Sequence, residues 1–208
     1  MHTEDFLREI TAIRGLSGDE GLVADFVKAQ FEPLCDEVRV DSMFNVIARK
    51  KGPGPRVMFA AHMDEIGLMV VNIEEDGSLR MGQVGGVDPR ILPGQRVTVF
   101  GKEKLMGVIG AKAPHLLSDE ERKKNYLRED LYVDLGMDAE KVKSLVSIGD
   151  QIQLEHRYTA LQNGRVSVKT ADDRACVAIL YDALKRLQHI HHEADLYPDF
   201  VYEGYKWG

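Results

Sequence analysis

The chain has 208 residues, of which 44% are hydrophobic and 29% charged, and its formal net charge is −7. That composition supports a buried core. It argues against a nucleic-acid partner, because Lys and Arg cluster only briefly, at Arg49-Lys50-Lys51, and no basic stripe replaces phosphate counterions.

The start, Met1-His2-Thr3-Glu4-Asp5, is polar and acidic, so no signal peptide is expected. No apolar run is long enough for a membrane span. Cys35 and Cys176 form no CxxC pair, which suits a reducing cytoplasm better than a disulfide framework.

Phe6, Leu7, Ile10 and Ile13 recur at helical spacing and predict a helix over 3–14. Ser17 followed by Glu20 reads as a capping box for a second helix, which ends by Pro33. Strands are expected at Glu37–Val40, Asn45–Ala48 and Arg56–Ala61. The run Val57-Met58-Phe59-Ala60-Ala61 suggests that the last of these is buried on both faces.

From Gly67 to Glu155 short alternating runs are broken by turn signals such as Asp76-Gly77, Gly85-Gly86 and Pro93-Gly94. This spacing predicts a small β-barrel or sandwich, with strands at Thr98–Phe100, Gly107–Ile109 and Gln151–Leu154. The polar stretch Ser118–Asn125 reads as an exposed loop or frayed helix. From Val166 a strand to Lys169, a turn at Asp172-Asp173-Arg174 and a long helix follow. The expected organisation is an α/β domain of residues 1–66 and 157–208, into which an all-β, barrel-like domain of 67–156 is inserted.

Two strand ends carry chemistry. His62, directly after the apolar strand, stands two residues before Asp64, so both face the same way at the carboxyl end of a strand, where α/β sheets bind ligands. His62 as a metal ligand with Asp64 accepting its other N–H is one reading; a core histidine bonded to an aspartate is the other. Asp172 and Asp173 are adjacent carboxylates at a second strand end. Either Asp172 faces a cation while Asp173 caps the helix, or the pair is a plain cap with a salt-bridging Arg174.

The two together, separated by a β insertion, resemble the cytoplasmic tetrahedral aminopeptidases, the glutamyl-aminopeptidase and "cellulase M"-like family of dinuclear metallopeptidases. The resemblance runs from about Asp5 to Tyr197 and rests on Ala61-His62-Met63-Asp64-Glu65-Ile66-Gly67 and Asp172-Asp173-Arg174. Gly85–Pro89, Gly107–Gly110, Pro114-His115-Leu116 and Leu131–Gly136 support it. It implies a zinc-peptidase-like α/β sandwich, an inserted dimerisation domain, and dimers that assemble into a dodecamer. It implies two divalent metal ions, zinc or cobalt, with His62 holding one, Asp172 bridging both and Asp64 orienting His62 in a catalytic role. A cis peptide between Asp172 and Asp173 is implied too. The substrates would be peptides, bound by their free amine and hydrolysed at the first peptide bond.

The chain then departs from the family. Members continue with a strand and a Gln-Glu-Glu-Val-Gly segment holding the general base and a further ligand. Here Ala194–Tyr197 follows the pattern and Pro198–Gly208 does not, which implies a C-terminal part cut away by a frameshift or early stop. Pro198 is expected to interrupt the strand, and Glu203 lies near the place of the base with unmatched neighbours. Cys176 reads as a buried structural cysteine, His189, His191 and His192 as a polar helix end, and His115 as a loop residue. The competing function is a non-catalytic homologue serving only in assembly or binding; glycoside hydrolysis, suggested by the "cellulase" label, is a third.

Overall fold

The computed structural model describes residues 1–120 and 123–201. They divide into two compact units: Met1–Glu65 together with the chain from His156, and Ile66–Glu155.

In the first unit, α1 (Thr3–Ala12) and α2 (Gly21–Phe31) precede strands β1 (Glu37–Val40), β2 (Val46–Arg49) and β3 (Arg56–His62). After the second unit, a short hairpin of β10 (Thr159–Ala160) and β11 (Val166–Ser167) leads to α4 (Ala171–Leu187) and β12 (Asp195–Val201). The predicted strand at Val166–Lys169 is thus only a two-residue arm. The sheet order is β1-β2-β12-β3, with β12 antiparallel to β2 and parallel to β3.

The apolar spacing read in the sequence becomes one core. Phe6 and Ile10 of α1, Val23, Val27 and Phe31 of α2, and Val177, Tyr181 and Leu184 of α4 meet Val46, Ala48 and Phe200 of the sheet. Phe6 stacks on Tyr181 at 4.3 Å between ring centres, and Phe31 meets Phe200 edge-on at 4.6 Å.

Two expectations fail here. β3 is not buried on both faces: Val57, Met58 and Phe59 are exposed. Among the described residues β3 has one strand neighbour, β12, at the end of the sheet. An apolar run cannot reveal how many neighbours will cover it. Pro198, in turn, does not interrupt its strand. Leu196 exchanges both backbone hydrogen bonds with Lys50. Alternation therefore aims the missing N–H of Pro198 at β2 as well, and the pairing with β2 resumes only at Asp199 and Phe200. Pro198 itself stays in register with Phe59 of β3.

The second unit holds β4 (Gly67–Ile73), β5 (Leu79–Val84), β6 (Arg96–Phe100), β7 (Lys104–Ala111), β8 (Leu131–Asp134), α3 (Ala139–Leu145) and β9 (Gln151–Leu154). The strands close into a barrel in the order β4-β5-β8-β7-β6-β9. Closure pairs Leu68 of β4 with Ile152 of β9 and leaves no free edge. Leu68, Val70, Val97, Val99, Ile109, Val133 and Ile152 fill its interior as a second core. α3 starts at Asp138, whose carboxylate accepts the Lys141 N–H at 2.8 Å, and buries Val142 in that core.

Candidate metal centre

His62 is the last residue of β3, at the carboxyl end of the strand. Its Nδ1 lies 3.0 Å from Asp64 Oδ1 and its Nε2 lies 3.1 Å from Asp172 Oδ1. The structure thus brings together all three residues singled out in the sequence. Their exposures differ sharply: the side chain of Asp64 is 4% exposed, that of His62 11% and that of Asp172 97%. A buried carboxylate behind the ring and a solvent-facing one in front of it is the asymmetry expected of an orienting group and a ligand.

Asp172 owes its position to an irregular entry into α4. Thr170 sits in the left-handed region at φ 67°, a rare conformation for a β-branched residue, and Asp172 and Asp173 are non-helical. The peptide between Asp172 and Asp173 is cis. Neither aspartate is a plain cap of the first turn. Arg174 does not pair with them either. It is fully buried and donates from Nε to Met63 O at 2.7 Å and from Nη1 to Ile10 O and Ile13 O at 2.6 and 2.7 Å.

Sequence reasoning missed the shell beneath His62. Ser17 is not a helix cap: α2 begins after Glu20 with no side-chain cap bond, and the Ser17 hydroxyl donates to Asp64 Oδ2 at 2.5 Å. Glu65 is buried; its Oε1 accepts the Gly15 N–H at 3.2 Å and its Oε2 pairs with Lys169. Burial holds the Lys169 ammonium below the ordinary lysine range, with Glu65 opposing. The one signal available was an acidic pair, Asp64-Glu65, set between apolar residues.

Cys176 is exposed, which overturns its reading as a buried structural residue. A hydrogen bond to Asp173 pushes its thiol above the usual range, so the helix start does not activate it. His189 and His191 are exposed, and His192 Nδ1 bonds to Ala194 O at 2.9 Å. His115 is an exposed residue of a short 3-10 turn. Glu203 lies outside the described residues. A cavity of about 990 Å³ lined by Arg80, Tyr126 and Tyr132 lies within the barrel unit and includes none of the residues above.

A divalent ion fits the His62–Asp172 pair in part. Two ligands of one tetrahedral ion at zinc-type bond lengths sit roughly 3.4 Å apart, close to the 3.1 Å seen between Nε2 and Oδ1. With Nδ1–H given to Asp64, the Nε2 lone pair is the one left for a cation. A catalytic zinc takes three protein ligands, and no group of three or more His, Cys, Asp or Glu that could hold a metal occurs among the described residues. The pair offers two such donors.

A family model described as M42 glutamyl aminopeptidase matches residues 45–203. A lysyl aminopeptidase of Pyrococcus furiosus is 35% identical over 198 residues, 93% of this chain and 57% of that protein. A putative aminopeptidase of Acetivibrio thermocellus is 36% identical over 91% of this chain and 55% of its own length. Among solved structures, a TET aminopeptidase from a marine sediment archaeon of the Thaumarchaeota superposes with TM-score 0.90 at 34% identity, covering 98% of this chain and 59% of that one. A Pyrococcus horikoshii TET1 peptidase, described as able to assemble into a tetrahedron or a large octahedral shell, gives TM-score 0.83 at 34% identity, covering 97% and 61%. The chain spans somewhat more than half the length of the relatives it matches.

Proposed function

This chain belongs to the M42 glutamyl aminopeptidase family, and from that premise we propose that its His62–Asp172 pair is part of the metal site of an aminopeptidase acting on peptide N-termini. The carrying observation is the His62 ring held between a buried and an exposed carboxylate. Asp64 fixes the tautomer and heading of the ring, and Nε2 of His62 and Oδ1 of Asp172 are the donors offered to a divalent cation, zinc or cobalt. Asp172, with its carboxylate almost fully in solvent, has oxygens to share between two ions. When bound, divalent ions polarise a peptide carbonyl and make water a better nucleophile at neutral pH. No third ligand is assigned among the described residues.

Calorimetric titration of zinc or cobalt into the purified chain tests the reading. Binding should fall at least tenfold in His62→Gln and in Asp172→Asn. Equal binding by all three proteins overturns it. Turnover of Leu-, Lys- and Glu-p-nitroanilides, measured in parallel, separates an active aminopeptidase from the second reading, a non-catalytic assembly or binding subunit. That second reading is favoured by the lack of a third ligand among the described residues.

Self-association through the barrel unit, as dimers and higher assemblies, and a cytoplasmic setting complete the proposal. Support comes from the TET relatives and from the fact that no described helix is long and apolar enough to cross a membrane. Sedimentation velocity gives the assembly state directly, and a monomer at all concentrations would refute it.

A further inference from the structure

The loop between α1 and α2 reaches the residues of the His62–Asp172 site through Ser17. Ser17 Oγ donates to Asp64 Oδ2 at 2.5 Å while Asp64 Oδ1 faces His62 Nδ1 at 3.0 Å. The two oxygens of one buried carboxylate are thus held by two different elements. A carboxylate bonded through one oxygen alone still swings about its terminal torsion, which is broad and soft. Bonded through both, it is fixed, and the ring beyond it is fixed with it.

The loop that carries Ser17 is itself clamped. Leu16 bridges to Glu65 in parallel. Gly15 both accepts the Glu65 backbone N–H at 2.8 Å and donates its own N–H to the Glu65 carboxylate. Beneath them Arg174 ties Met63 O on one side to Ile10 O and Ile13 O on the other. Gly18 N–H donates to Glu20 Oε1 at 2.6 Å and Asp19 N–H to Leu16 O at 2.8 Å, which sets the turn on the far side of Ser17. The hydroxyl is therefore presented from a rigid seat, with backbone bonds on either side of it.

We propose that Ser17 is a positioning residue of this site: by fixing Asp64 it fixes the tautomer and heading of His62, and so sets metal affinity without touching the metal. The inference rests on the His62–Asp172 reading above. Groups behind a ligand histidine typically change metal affinity 10- to 100-fold, so about a tenfold loss is expected when the hydroxyl is removed.

The test has two arms. In the metal-free chain labelled with ¹⁵N-histidine, two-bond couplings report which ring nitrogen of His62 carries the proton, the signal being assigned by its absence in His62→Gln. At a pH where the ring is neutral, wild type should show the Nδ1–H form. Ser17→Ala should show a mixture, and Ser17→Thr, which keeps the hydroxyl, should return to the wild-type pattern. In the second arm, zinc affinity by competition with a chelating dye should drop about tenfold in Ser17→Ala and recover in Ser17→Thr, with the urea midpoints of all three kept alongside. Wild-type tautomer and affinity in Ser17→Ala overturn the proposal. So does an equal loss in Ser17→Ala and Ser17→Thr that tracks lost stability, because that marks a packing role. If wild type binds no zinc, the metal reading fails, and the tautomer arm still decides whether Ser17 positions His62.

Discussion

Arg174 is a buried charge that unites three stretches of chain far apart in sequence, and its removal should be felt by all of them. Its guanidinium is fully buried, gives three bonds to backbone carbonyls, and sits in the field of Glu65 and Asp64. Arg174→Met keeps much of the volume but strands those carbonyls and removes one of the two cations near Glu65, the other being Lys169. Each stranded buried acceptor costs about 1–3 kcal/mol, so the expected loss is about 3 kcal/mol or more, read from urea unfolding of the two proteins. The other residue-scale expectation concerns pH. Asp195 on β12 is gripped by Arg49 of β2 through two bonds of 3.0 and 2.9 Å, and this holds its carboxyl below the ordinary aspartate range. A carboxyl that is harder to protonate folded than unfolded stabilises the fold above the ordinary aspartate value, about pH 4. That contribution disappears as pH falls through the depressed value. The difference in urea midpoint between wild type and Asp195→Asn should therefore be widest near neutrality and shrink as the pH falls below about 4; a constant difference would refute the assignment.

At the scale of elements, the α1–α2 loop depends on the absence of a side chain at Gly15. A Cβ there would lie 2.9 Å from both Arg174 Nη2 and Val23 Cγ1. Gly15→Ala should cost about 1–3 kcal/mol by overpacking, measured by thermal or urea unfolding, and a neutral result would show the loop to be more compliant than its bonds imply. The loop also marks the limit of what sequence could tell. Helical spacing placed α1, α2 and α4 within a few residues, because period 3.6 is written by each element for itself. The barrel was legible from its turn glycines and alternation. His62, Asp64 and Asp172 were legible from a His-x-Asp following one apolar strand and an Asp-Asp-Arg opening a long helix. Ser17 was misread as a cap because its pattern with Glu20 is local, whereas its true partner, Asp64, is 47 residues away. The exposure of Val57–Phe59 and the tolerance of Pro198 in β12 were misread for the same reason. Both depend on which strand lies alongside, and that is a property of the assembled sheet.

For the whole molecule, two separate cores imply two separable stabilities. The barrel closes on itself and fills its own interior, so an excised Ile66–Glu155 fragment should fold alone with one cooperative melt. The full chain should then unfold in two calorimetric transitions, one matching the fragment. A fragment without a melt would show that the barrel leans on the rest of the chain. The pairing of β4 with β9, which closes the barrel, bears on the order in which the chain folds. Because Leu68 lies against Ile152, the 90 residues of this unit enter and leave it at neighbouring positions once it has formed. Before that, β3 and β12 must find each other across a long floating tether. Afterwards the 132 residues between them act as a tether of roughly 40, and the closure cost falls by on the order of 1 kcal/mol. Early barrel formation would therefore hasten the parallel pairing of β3 with β12, a slow kind of contact to form, and the insertion would shorten the search for the sheet it interrupts.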